Sequence, residues 1–123
     1  MASPEEILEE IVGVPGVEAA IAVDKDGLLL ASAGIKEENG SGDMDSLGAV
    51  ATGALGSAEL VGEEFKKGSL ERVILEYEEG KVIVQQISND VVLAIFGSKD
   101  AKLGILQLMI KRKNKDINES FSF

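Results

Sequence analysis

The chain has 123 residues, a formal net charge of −10 at pH 7, and neither cysteine nor histidine. Those absences exclude a disulfide framework, thiol nucleophiles, histidine-based acid–base catalysis and metal sites built on thiolate or imidazole. The acidic balance argues against nucleic acid, because phosphate recognition draws its affinity from clustered Lys and Arg.

The length suits a single domain over residues 1–123, large enough to bury a core without metal or disulfide help. Charge is unevenly placed: residues 1–64 carry 14 acids and 2 bases, whereas residues 65–123 carry 8 acids and 10 bases. An acidic half of this kind is suited to steering a basic partner. The N-terminus opens on Ser3-Pro4-Glu5-Glu6 rather than on a basic stretch followed by an apolar one, and no apolar run approaches the ~20 residues needed to span a bilayer. A cytoplasmic protein without membrane insertion is expected.

In chain order, Ser3 to Glu6 reads as a helix start: Ser3 is the N-cap, Pro4 sits where its missing N–H costs nothing, and Glu6 completes a capping box. Ile7, Leu8, Ile11 and Val12 form its apolar face, Gly13 fits the residue just past its end, and Pro15 bars continuation. Residues 17–23 alternate as a strand, but Ala20 and Ala22 are apolar as well as Val17, Ala19, Ile21 and Val23, so both faces are covered. Asp24-Lys25-Asp26-Gly27 supplies a hairpin turn with Gly27 available for positive φ, and residues 28–32 return as the second strand. Residues 33–42 read as a surface loop. Gly40-Ser41-Gly42 is a poor phosphate loop, since two acids follow where Lys-Ser/Thr is needed.

Residues 43–67 predict one long helix. Met44, Leu47, Val50, Leu55, Val61 and Phe65 recur at mostly helical spacing, with Ala51, Ala54 and Ala58 between them, and are expected to face the core. Gly48, Thr52 and Gly56, with Ala49 and Gly53 one position on, form a stripe of small residues. Each interior Gly costs a helix roughly 1 kcal/mol relative to Ala, so close approach by a second helix is the expected compensation.

Gly68 is the expected helix stop. Strands follow over residues 70–77, 82–87 and 91–96, joined by tight turns, and their two apolar faces require helices on both sides. A last helix over residues 100–118 carries Leu103, Leu106 and Ile110 on one stripe. Lys111, Arg112, Lys113 and Lys115 lie toward its C-terminal end, where cations favour the helix dipole.

This order carries recognisable local text: Ile11 with Val14-Pro15-Gly16-Val17, the run from Ala20 to Gly27 with Leu28 and Ala31-Ser32, the Ala/Gly-rich helix, Gly80 with Val82, Val84 and Leu93, and Lys102-Leu103-Gly104. In order and spacing it resembles the Roadblock/dynein light chain family over nearly the whole chain. The resemblance implies an α/β (α+β) Roadblock/profilin-like three-layer sandwich. Its five-stranded antiparallel sheet runs 2-1-5-4-3, with the first and last helices on one face and the long helix on the other.

It further implies a dimer, with itself or a Roadblock paralogue, in which the third strand pairs with its mate and the long helices pack together. The expected interface residues are Gly48, Thr52, Gly53, Gly56, Arg72, Val73 and Leu75. Family function is the regulation and scaffolding of Ras-like small GTPases, so a non-catalytic GTPase regulator without cofactor or metal is expected. Arg72 and Arg112 are the only arginines available as a finger supplied in trans. Glu59, Glu63 and Glu64, with the acidic segment 37–45, are the expected partner-binding face. The alternatives are a structural subunit of a larger assembly without GTPase contact and a small-molecule sensor. An enzyme would have to rely on residues such as Asp24 and Asp26, which suit turn chemistry instead.

Overall fold

A five-stranded antiparallel sheet with a hydrophobic cluster on each face is the centre of the computed structural model, which describes residues 2–34 and 44–122. The elements are α1 (Pro4–Val12), β1 (Val17–Val23), β2 (Leu29–Ala33), α2 (Met44–Glu64), β3 (Val73–Tyr77), β4 (Gly80–Ser88), β5 (Val91–Ser98), α3 (Leu103–Arg112) and α4 (Asn114–Ser120). The strand order is β2-β1-β5-β4-β3, as the resemblance implies. Pairing of Ala20 with Ile95 and of Ile83 with Ile95 places β5 at the centre of the sheet.

Strand alternation sorts the core. Ala20, Ala22, Ala31, Ala33, Ile83, Leu93 and Ile95 face α1, α3 and α4, while Ile21, Val23, Val84, Val92 and Ala94 face α2. The alanines on β1 and β2 let α1 sit close, so that Ile7, Leu8 and Ile11 are fully buried, each contributing roughly 1.5–3 kcal/mol relative to exposure. Ser3 caps α1 as expected: its Oγ accepts from the Glu6 N–H at 3.2 Å and donates to Glu6 Oε1 at 3.2 Å.

Several boundaries differ from the sequence expectation. Gly13 remains in the right-handed region (φ −67°), and the left-handed glycine of this corner is Gly16 (φ +88°), where a Cβ would lie 2.6 Å from Ala101 Cα. The helix expected over residues 100–118 breaks in two at Lys113, whose φ of −97° and ψ of 9° leave the helical region. The break brings the Lys113 Nζ to 2.6 Å from Glu10 Oε2. That hydrogen bond and the carboxylate charge raise the Lys113 pKa, tying the C-terminal helices to α1.

The long helix ends at Glu64, and Gly68 does not stop it. Lys66 takes the left-handed conformation (φ +56°), with Lys67 N–H donating to Gly62 O at 2.9 Å and Lys66 N–H to Glu63 O at 3.3 Å. This is the Schellman pattern, with a lysine where glycine is usual. The third strand begins at Val73, not at residue 70. Ala33 ends β2 and Gly34 follows it; residues 35–42 of the expected loop, like 37–43 of the acidic segment, lie outside the described residues. Among the described residues no helix is long and apolar enough to cross a membrane.

Candidate interaction surface

The long helix divides around its axis into an inner, a crowded and an open side. Leu47, Ala51 and Leu55 at i, i+4, i+8 pack on the sheet, with Ala51 and Leu55 buried. Gly48 is crowded by the chain itself. A Cβ there would stand 2.5 Å from Gly27 O and 2.9 Å from Val23 Cγ1, so its smallness serves the docking of α2 on the β1–β2 turn. The expectation that Gly48 lacks an intrachain reason is therefore corrected. Thr52 turns its hydroxyl back to donate to Ala49 O at 3.0 Å. Gly53 and Gly56 differ: both are exposed, and a Cβ on either meets nothing within 4 Å.

The expected core face is also narrower than the sequence suggests. Val50 (66% exposed), Leu60, Val61 (59%) and Phe65 (70%) lie on the outside of α2. The physical reason is angular: an apolar arc that includes Leu47, Val50, Leu55, Leu60 and Val61 is wider than one sheet can cover. Val50 and Ala54 belong to the side facing β3, and Val61 follows Val50 and Ala54 at i+11 and i+7, on the same flank. Val50 and Ala54, together with Leu75, Tyr77, Val82 and Phe96, line an apolar cleft of about 210 Å³ between α2 and the sheet. Gly53 lies next to Val50 and Leu60 on the open crest.

Strand β3 completes this surface. It pairs only with β4, leaving its other edge unpaired within the sheet, and none of its five residues is buried. The opposite edge strand, β2, buries Ala31 and Ala33 beneath α1. Val73 and Leu75 face the α2 side, half-buried, while Ile74 emerges on the other. Of the ten exposed large hydrophobics among the described residues, six (Val50, Leu60, Val61, Phe65, Ile74 and Tyr77) belong to α2, the residue just past it, or β3, and all of these but Ile74 lie on or beside α2 or on its side of the β3 edge.

Charge follows the same helix. Glu59, Glu63 and Glu64 are all exposed, and the last turn of α2 holds no base. Carboxylates beside the helix C-terminus oppose its dipole, costing about 0.3–1 kcal/mol each at exposed sites, so their position does not serve the helix. Arg72, half-buried just before β3, lines both a groove against α3 and one bordered by Ala58 and Gly62 of α2, while Arg112 is exposed at the end of α3. Asp24 is engaged in the hairpin, its Oδ1 accepting from Asp26 N–H at 2.9 Å and Leu28 N–H at 3.0 Å, as expected of turn chemistry. Among the described residues no cluster of acids could hold a metal ion.

Comparison with known proteins agrees with this architecture. Residues 4–96 match the Roadblock/LC7 domain. Uncharacterized protein MJ1340 of Methanocaldococcus jannaschii is 30% identical over 117 residues, covering 95% of this chain and 98% of that protein. Among solved structures, a Roadblock/LC7 domain from Streptomyces avermitilis superposes with a TM-score of 0.83 at 19% identity, covering 96% of this chain and 97% of the other. Myxococcus xanthus MglB gives 0.82 at 19% identity, covering 96% and 94%. With the sheet order, the helix layers and most of the chain's length matched, the protein belongs to the Roadblock/LC7 family.

Proposed function

We propose that this protein is a non-catalytic dimeric regulator or scaffold that binds a Ras-like small GTPase. The observation that carries the reading is the continuity of the bare β3 edge with the apolar flank of α2. An exposed apolar edge strand is a liability unless it is paired. Antiparallel pairing of β3 with a second copy, or with a Roadblock paralogue, extends the sheet across two subunits and brings their α2 helices together.

In that arrangement Val50, Leu60 and Val61 are covered, Gly53 and Gly56 admit close helix approach, and Thr52 lies alongside. Arg72, Val73 and Leu75 border the strand contact. A specific interface of this kind buries about 1,200–2,000 Å² in total, which a five-residue strand and a 21-residue helix per subunit can supply.

The paired helices present Glu59, Glu63 and Glu64 twice on one face, and the negative field accelerates encounter with a basic patch on the GTPase. Arg112 stands at the end of α3 and Arg72 is half-buried beside the strand contact, so any effect on hydrolysis works by ordering the GTPase's own residues.

Sedimentation of the unmodified chain at micromolar concentration tests the dimer; a monomer there refutes it. Surface plasmon resonance against small GTPases of the source cell tests the partner. Association should slow with added salt and with Glu63→Lys plus Glu64→Lys, while dissociation changes less. The double reversal also replaces acids by bases at a helix C-terminus, so it should leave stability equal or higher by about 0.3–1 kcal/mol per site. Binding indifferent to salt and to the reversal refutes the electrostatic mechanism, and no binding favours a structural subunit without GTPase contact.

A further inference from the structure

On the sheet face opposite α2, α3 stops short of β3 and leaves an open groove of about 450 Å³. Its cations are Arg72 from the start of β3 and Lys111 from α3, and no carboxylate is among its lining residues. In a chain of net charge −10, a concave site whose charged lining residues are both bases runs against the composition. The two cations are nearly unengaged: the nearest acid to Arg72 is the exposed Glu71, at 3.9 Å from Nη1, and Lys111 has no ion pair among the described residues.

The groove also holds buried polar atoms without partners. Arg72 Nε and Gln85 Oε1 both lack hydrogen bonds, and the β3–β4 register, Val73 opposite Val84, sets the two residues across from one another. A buried polar atom left unpaired is destabilising because it has lost its water without gaining a partner, and an incoming ligand with donors and acceptors supplies one. Gln107 offers a further carboxamide. Half-exposed Leu108 gives the groove an apolar wall.

We propose that this groove receives a short acidic segment of a partner protein in extended conformation. Carboxylates fit Arg72 and Lys111, since Arg presents a planar fork matched to a carboxylate. The carboxamides of Gln85 and Gln107 each carry a donor and an acceptor, as a peptide group requires, and an aliphatic side chain of the segment rests on Leu108. A bare inorganic anion uses the cations but leaves the acceptors and the apolar wall idle. A membrane surface is flat and does not reach a recessed Nε. Apart from Arg72, which borders the strand contact, the lining residues lie on the sheet face away from α2, so an occupant leaves the acidic GTPase surface proposed above free.

The test is an NMR titration of the ¹⁵N-labelled full chain with the peptide acetyl-Glu-Leu-Glu-Leu-Glu-amide. Shifts should localise to Arg72, Gln85, Gln107 and Lys111. Lys111→Gln should weaken binding about tenfold, the loss of one charge-assisted contact. Gly104→Trp should abolish it, because Gly104 lines the groove and a Cβ there meets nothing within 4 Å, leaving the ring free to fill the space. Both variants lie on α3 rather than on the β3 edge, so they leave dimer formation unchanged in sedimentation. Equal shifts with acetyl-Lys-Leu-Lys-Leu-Lys-amide, undiminished binding by either variant, or tighter binding to pyrophosphate or to vesicles containing phosphatidylserine would overturn the proposal.

Discussion

The glycines of α2 look alike in the sequence but should respond to alanine with opposite signs. At Gly48 the added methyl would stand 2.5 Å from a backbone oxygen of Gly27 and 2.9 Å from Val23 Cγ1. The oxygen has little room to retreat. Gly27 is held at φ +86°, its own N–H donates to Asp24 O at 2.9 Å, and the same turn is fastened by two hydrogen bonds to Asp24 Oδ1. Overpacking of this kind costs typically 1–3 kcal/mol, and helix propensity returns roughly 1 kcal/mol. A methyl pressed below 3.0 Å on a fastened turn takes the upper part of that range, about 2–3 kcal/mol, so Gly48→Ala should lose about 1–2 kcal/mol net. With a thermal shift of about 4 °C per kcal/mol for a domain of this size, the midpoint falls by about 4–8 °C.

Gly56→Ala meets open space, so the folded subunit should gain roughly 1 kcal/mol by propensity. Urea unfolding at several protein concentrations separates the subunit term from association, because only the latter makes the midpoint depend on concentration. Sedimentation of Gly53→Leu with Gly56→Leu completes the set: the subunit should fold but dissociate. Gly48→Ala as stable as the parent would refute the account of that contact. A double leucine variant with unchanged dimerisation would remove Gly53 and Gly56 from the interface.

Lys66→Gly should stabilise the chain by about 1 kcal/mol, since it removes a Cβ from a left-handed residue at φ +56°; differential scanning calorimetry showing a loss would refute the Schellman assignment. Lys113→Met removes the contact that raises the lysine pKa above its ordinary 10.5. A raised folded pKa means the contribution is whole below pH 10.5 and fades as pH climbs through the folded value, so the stability gap between parent and variant should be constant near neutrality and close in alkali. A gap that persists unchanged well above that range would show that packing, not the ion pair, is responsible.

Much of the architecture was legible because local rules and global packing agree in it. The capping box at Ser3, the Asp24–Gly27 turn and the two-faced apolar strands each have a short-range cause that no distant contact overrides. Helix boundaries were less legible. The break at Lys113 comes with a contact to Glu10, more than a hundred residues earlier, and the left-handed Lys66 violates the preference for glycine that made Gly68 the expected stop. Periodicity records which residues are apolar along α2, but not how wide an arc the sheet beneath it can cover. Only the packed helix separates buried Leu55 from exposed Val61. Likewise, composition shows three small residues in a row of turns. The difference between Gly48, pressed on Gly27, and Gly56, facing open space, arises because the β1–β2 turn rises under one end of the helix alone.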